Sequence, residues 1–300
     1  MLVTTAIGRR DRPTLPAGRA IELPGRGTTF VREALGPPDA PALFLLHGWS
    51  GTADLNWHPY FDALARHFRV VAIDHRGHGQ GIRHGDPFRL EDCADDVAAL
   101  AERLGIERLI AVGYSMGGAI AQLLWQRHRP LVEGLVFCST SAAFRATARL
   151  RMLFRAAAGV SAVRGTGAVT TVAGSAMGAI ARWNGFRGEM TWGVEQMALH
   201  DWGTVVEAGH QIGRYDARDW IRSIEVPTSV IATLDDEVVP TRHQIWLAHT
   251  IPEATLRHFP GGHHRCVTHP ERFESVLLQA CREIAARSTH FGVAGIASAA

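Results

Sequence analysis

The chain has 300 residues, of which 46% are hydrophobic and 20% charged. With 31 basic against 29 acidic residues its net charge is +2. These values exclude a largely disordered chain and leave no electrostatic footprint for nucleic acid.

Residues 1–17 read as an untethered lead-in. Arg19–Leu23 and Thr28–Ala34 are expected to pair as antiparallel strands around a turn at Gly25–Gly27. Ala42–Leu46 is a continuous apolar run, which marks a strand buried on both faces of a parallel sheet. Val70–Ile73, Leu109–Val112, Leu135–Cys138, Thr228–Ala232 and Thr255–Phe259 are further strands. Helical periodicity falls between them. Val97, Leu100, Ala101 and Leu104 form one apolar stripe, ended by Gly105. Ile120, Leu123 and Leu124 lie on a helix running toward Pro130. Pro270 starts a last helix with the stripe Phe273, Val276, Leu277, Ala280 and Ile284. Such alternation indicates an α/β fold with a doubly wound, mostly parallel sheet.

The alternation stops between Ser141 and Ile224. The expected organisation is a core domain in two parts, 18–140 and 226–287, interrupted by a helical insertion over 141–225. Residues 1–17 and 288–300 are expected to be flexible termini. In the insertion, Arg145, Arg149, Arg151 and Arg155 punctuate a basic amphipathic helix, read as a solvated face. Trp183, Trp192 and Trp202 are candidates for an apolar substrate pocket, or equally for the core of the insertion itself.

Several chemistries are absent. All the basic residues are arginine, so no lysine is available for a Schiff base, for pyridoxal phosphate or for a phosphate loop. Cys93, Cys138, Cys266 and Cys281 lack C-x-x-C spacing and fit neither a zinc knuckle nor a disulfide framework. His75, His78 and His84 lie near Asp74 and Asp86, but their spacing matches no metal-ligand pattern, so no metal and no cofactor is expected. No segment has the make-up of a signal peptide or the roughly 20 apolar residues of a membrane span. The expectation is a cytoplasmic protein with free thiols and no stable membrane insertion.

Gly113-Tyr114-Ser115-Met116-Gly117 is a G-x-S-x-G motif, entered by an apolar strand and left by a helix. That context is a nucleophile elbow, which lifts a serine hydroxyl above the sheet at a helix N-terminus. A serine needs a base, and the base needs a carboxylate to orient it. With sixteen histidines in the chain, position must choose. His263 follows the last strand and a Pro260-Gly261-Gly262 turn, with His264 as its neighbouring rival. Asp236 follows the strand Thr228–Ala232, with Asp235 as its rival.

On these residues the chain resembles the α/β-hydrolase family over about residues 20–287. His47-Gly48-Trp49, Asp74-His75-Arg76-Gly77-His78-Gly79, Gly113–Gly117, Asp236 before Val239-Pro240, and Gly262-His263 carry the resemblance. It implies Ser115, Asp236 and His263 as a catalytic triad, with backbone amides of Trp49 and Met116 as the oxyanion hole. The implied activity is hydrolysis of a small to medium, apolar carboxylic ester or thioester, a small-molecule substrate, through an acyl-enzyme. A carbon–carbon bond hydrolase, a cofactor-free perhydrolase or haloperoxidase and an acyltransferase are alternatives on the same fold. A non-catalytic ligand-binding protein is the alternative of another class.

Overall fold

Uninterrupted apolar runs form strands at the centre of a sheet, where neither face meets water. The computed structural model describes residues 13–144 and 189–288. It contains one eight-stranded sheet of order β1-β2-β4-β3-β5-β6-β7-β8. The strands are β1 (Gly18–Leu23), β2 (Gly27–Ala34), β3 (Ala42–Leu46), β4 (Arg69–Ile73), β5 (Leu109–Tyr114), β6 (Val132–Cys138), β7 (Thr228–Thr233) and β8 (Thr255–Phe259). β2 runs antiparallel to both β1 and β4, and all other neighbours are parallel. Every residue of β3, β5, β6 and β7 is buried, whereas the edge strands β1 and β8 are partly open.

β6 starts earlier than its apolar run suggests, because Glu133 interrupts the pattern. Its carboxylate is buried and accepts from Arg108 at 3.2 Å. A charge at a strand position is tolerated when it is paired.

Strand residues alternate between two faces. Phe44, Leu46 and Ala111 join a core with helices α3 (Leu90–Arg103), α4 (Met116–Arg127) and α7 (Thr241–Thr250). Leu43, Leu45 and Ile110 join a second core with α1 (Ala53–Trp57), α2 (Phe61–Ala65) and α9 (Pro270–Arg287). Helices therefore cover both faces, as the alternation of elements requires. Among the described residues no helix is long and apolar enough to cross a membrane.

Between β6 and β7 lie α5 (Glu189–Ala198) and α6 (Trp202–Ile212). The two ends of this excursion are stitched together. Ala217 N–H donates to Ala142 O at 2.7 Å, and Ala143 bridges Asp216. The expected basic helix at Arg145, Arg149, Arg151 and Arg155 lies outside the described residues, as does Trp183. The short helix α8 (Arg265–Thr268) precedes α9.

Candidate active site

Ser115 sits between the end of β5 and the start of α4, with φ 53° and ψ −114°. A positive φ strains a serine, and such strain persists only where the surroundings impose it. Here close packing imposes it. A Cβ on Gly113 would lie 2.4 Å from Gly117 O, and one on Gly117 would lie 2.0 Å from Leu46 O. The turn is anchored by Ser115 N–H to Cys138 O (2.9 Å) and by Thr140 Oγ1 to Ser115 O (2.7 Å). Ser115 thus stands at the C-terminal edge of the parallel strands, at the N-terminus of α4. The first amides of a helix have no intrahelical acceptor, so the Met116 N–H belongs to that set.

His263 and Asp236 reach this edge from the loops after β8 and β7. His263 Nε2 is 3.0 Å from Ser115 Oγ, and its Nδ1 is 2.8 Å from Asp236 Oδ2. All three side chains are buried. The rivals are placed elsewhere: Asp235 and His264 are exposed. Burial pushes the Asp236 carboxyl up, but the hydrogen bonds it accepts from His263, the Thr233 hydroxyl and the Val239 amide outweigh it. The net result holds Asp236 below the ordinary carboxylate value, hence ionised. An ionised carboxylate can only accept. Nδ1 of His263 therefore carries the ring hydrogen, and the Nε2 lone pair accepts from the Ser115 hydroxyl.

Supporting residues escaped the reading of the sequence. Asp236 Oδ2 also accepts from Thr233 Oγ1 (2.7 Å) and Gln244 Nε2 (3.0 Å), while Oδ1 accepts from the amides of Val238 (2.9 Å) and Val239 (2.7 Å). Tyr114 donates its hydroxyl to His263 O at 3.0 Å and lays its ring 5.3 Å from the imidazole. Tyr60 donates to Cys266 O in α8, just after His263. The identity of Tyr114 within G-x-S was visible, but its partner lies 149 residues away.

The His47-Gly48-Trp49 loop faces Ser115 from the end of β3, and a Cβ on Gly48 would lie 3.4 Å from Ser115 Cβ. His47 Nε2 accepts from the His75 amide at 3.0 Å, so its Nδ1 carries hydrogen and donates to Gly48 O at 2.8 Å. Asn56 Oδ1 accepts from the Gly48 amide at 2.9 Å. The Asp74–Gly79 segment, by contrast, is a docking platform. Asp74 accepts from the amides of Ala53 and Gln80, both at 2.8 Å. Gly77 O accepts from Asp201 N–H at 2.8 Å, and a Cβ on Gly77 would lie 2.2 Å from Thr204 Cγ2. Among the described residues no group of His, Cys, Asp or Glu side chains has the geometry to hold a metal ion.

Trp192 is buried edge-on against His58 at 5.0 Å, and Trp202 packs edge-on against His200 at 5.2 Å. Trp192 thus packs at the end of α1 and Trp202 against its own segment, and no ring contact joins either of them to His263 among the described residues.

The family model for the alpha/beta hydrolase fold matches residues 41–163. A protein named "Putative carbamate hydrolase RutD" from Serratia proteamaculans is 28% identical over 259 residues, covering 80% of this chain and 91% of that one. The "Bifunctional esterase/perhydrolase DCH" of Acinetobacter calcoaceticus is 44% identical over 95 residues, 31% of this chain and 33% of that one. The solved structure of a hydrolase from Pseudomonas aeruginosa PA01 superposes with a TM-score of 0.71 at 25% identity, covering 88% of this chain and 98% of that one. With this sheet, this strand–turn–helix at Ser115 and these relatives, the chain has the α/β-hydrolase fold and is a hydrolase of that fold.

Proposed function

We propose that the chain is a serine hydrolase that cleaves a small to medium, apolar carboxylic ester or thioester through an acyl-enzyme, with Ser115, His263 and Asp236 as its triad. One observation carries the reading: a continuous hydrogen-bonded line from Asp236 Oδ2 through His263 to Ser115 Oγ, with steps of 2.8 and 3.0 Å. His263 takes the Ser115 proton as Oγ attacks the carbonyl carbon. The amides of Met116 and Trp49 receive the oxyanion, where the N-terminus of α4 also favours negative charge. The leaving alcohol or thiol departs with the proton from His263. Water, deprotonated by His263, then attacks the acyl-enzyme and releases the acid. Asp236 keeps the imidazole in the required tautomer throughout. Trp192 and Trp202 remain candidates for the wall of the acyl pocket, and the segment over 141–225 acts as a cap. The scattered cysteine spacing supports a cytoplasmic setting.

Fluorophosphonate labelling with peptide mapping tests the reading. A stoichiometric adduct on Ser115 that is lost in His263→Ala supports it. A folded protein with no adduct defeats it and leaves a non-catalytic binding protein on this fold. A substrate panel should pair esters and thioesters with aryl carbamates, because the relatives that cover most of the chain are named for carbamate hydrolysis. Added hydrogen peroxide or alcohol tests whether another nucleophile intercepts the acyl-enzyme.

A further inference from the structure

We infer that His200, carried by the segment between β6 and β7, is a positioning residue that fixes the oxyanion loop at Trp49–Ser50. The inference rests on the hydrolase reading above and assigns a role to a side chain that touches neither Ser115 nor His263 among the contacts described.

The geometry begins with the loop. Gly51 N–H donates to Gly48 O at 3.1 Å, which closes a four-residue turn with Trp49 and Ser50 at its centre. Ser50 has φ 55°, a left-handed conformation that suits glycine better than serine. A turn that places a catalytic amide on a strained residue's neighbour needs something outside itself to hold it. His200 supplies one such restraint. Its buried imidazole accepts the Gly79 amide at Nδ1 (2.7 Å), so Nε2 carries the hydrogen and donates to Ser50 O at 3.1 Å. Burial holds His200 well below the ordinary imidazole value, at about 4, so this neutral tautomer persists at physiological pH.

A second restraint comes from the same segment. The Trp49 indole N–H donates to Val205 O on α6 at 2.6 Å. The segment is itself bolted to the loop after β4. Asp201 N–H reaches Gly77 O at 2.8 Å, and Arg83 Nη2 reaches Leu199 O at 2.6 Å. The Asp201 side chain caps α6 by accepting from the amides of Gly203 (3.1 Å) and Thr204 (3.3 Å). His200 therefore ties the insertion, the loop after β4 and the loop after β3 at one point. A displacement of about 1 Å in the loop is enough to cost about 100-fold in rate.

The experiment compares wild type with His200→Ala, His200→Asn and His200→Gln. Asparagine can place its oxygen near the position of Nδ1 and keep the Gly79 contact. Glutamine can place its amide nitrogen near the position of Nε2 and keep the donor to Ser50. Hydrolysis of p-nitrophenyl acetate should show kcat lower by about 10- to 100-fold in the Ala and Asn variants with KM nearly unchanged, and substantial rescue by Gln. Amide hydrogen exchange should accelerate at residues 48–51 in the Ala and Asn variants by about tenfold or more, and stay unchanged at residues 113–118. Wild-type kcat in folded His200→Ala overturns the inference. So does equal loss in all three variants with exchange rising equally in both segments, which marks general destabilisation. If wild type itself turns over no ester, the hydrolase reading fails, and the contrast in exchange between the two segments still decides whether His200 holds the loop.

Discussion

Ser115 Oγ and His263 Nε2 lie 3.0 Å apart although 148 positions separate them in the chain. The contact exists because β5 and β8 run parallel and end at the same edge of the sheet, three places apart in strand order. The turn after β8 then returns His263 toward β5, where Tyr114 holds its carbonyl. The carboxylate behind the pair is under equally tight control, with five donors converging on Asp236.

Asp236→Asn is expected to lower kcat for ester hydrolysis about 10⁴-fold, because the amide no longer enforces the Nδ1–H tautomer of His263. It also turns an NH₂ group toward groups that donate, so thermal stability should fall in the same variant. Steady-state kinetics together with circular dichroism separates the two effects. Retention of more than about a tenth of wild-type kcat would contradict the assigned role.

Gly117→Ala should prevent correct formation of the turn. Its Cβ would stand 2.0 Å from Leu46 O, and backbone at the end of β3 has little room to retreat. The expected cost is about 3 kcal/mol or more. Gly85→Ala is the matched control, since a Cβ there meets nothing within 4 Å. Urea denaturation of the two variants should differ sharply, with the control within about 0.5 kcal/mol of wild type.

Tyr114→Phe removes the hydroxyl that donates to His263 O but keeps the ring against the imidazole. The buried carbonyl then keeps only the weak Cys266 thiol donor at 3.6 Å, at a cost of about 1 kcal/mol. Turnover should drop several-fold through looser placement of His263, without a change in KM. Unchanged kcat and unchanged melting temperature would remove Tyr114 from the support of the histidine.

Stability should decline on acidification. His47, His75, His78 and His200 form a buried chain, with ring centroids 4.4 Å (His47–His75), 5.3 Å (His47–His78) and 5.5 Å (His78–His200) apart. Burial lowers all four, His75 to about 3 and His200 to about 4. Their unfolded value is about 6.5, so below that pH the unfolded chain binds protons that the folded chain refuses. Their contribution to stability is intact above about pH 6.5 and is lost as pH falls toward 4. Asp74 acts in the opposite sense. Burial raises it to about 7, so the folded state gains one proton over the same window. The lowered histidines outnumber the one raised carboxyl, so net stability falls as the pH drops through this window. Urea midpoints measured from pH 7.5 to 4.5 check this, and a flat profile would mean that water reaches the imidazoles.

The amino-acid sequence was sufficient for the parts that rest on local pattern. Continuous apolar runs identified the buried strands, because only strands covered on both faces need no polar alternation. G-x-S-x-G at a strand-to-helix junction identified Ser115, because the turn requires small residues at Gly113 and Gly117 for contacts made within a few residues and with the adjacent strand. Position after the last two strands narrowed the other candidates to Asp235 or Asp236 and His263 or His264, and the family resemblance favoured Asp236 and His263. The support around them depends on pairs far apart in sequence, such as Tyr114 with His263 and His200 with Ser50. Spacing carries no trace of these, since each partner is an ordinary polar residue whose meaning comes from what the sheet brings next to it. Even the Asp74–Gly79 motif, legible as a motif, gained its purpose only in three dimensions. There His200 and Asp201 pack against it, and burial turns the hydrogen bonds of His200 and Val205 into constraints on the loop at Trp49–Ser50.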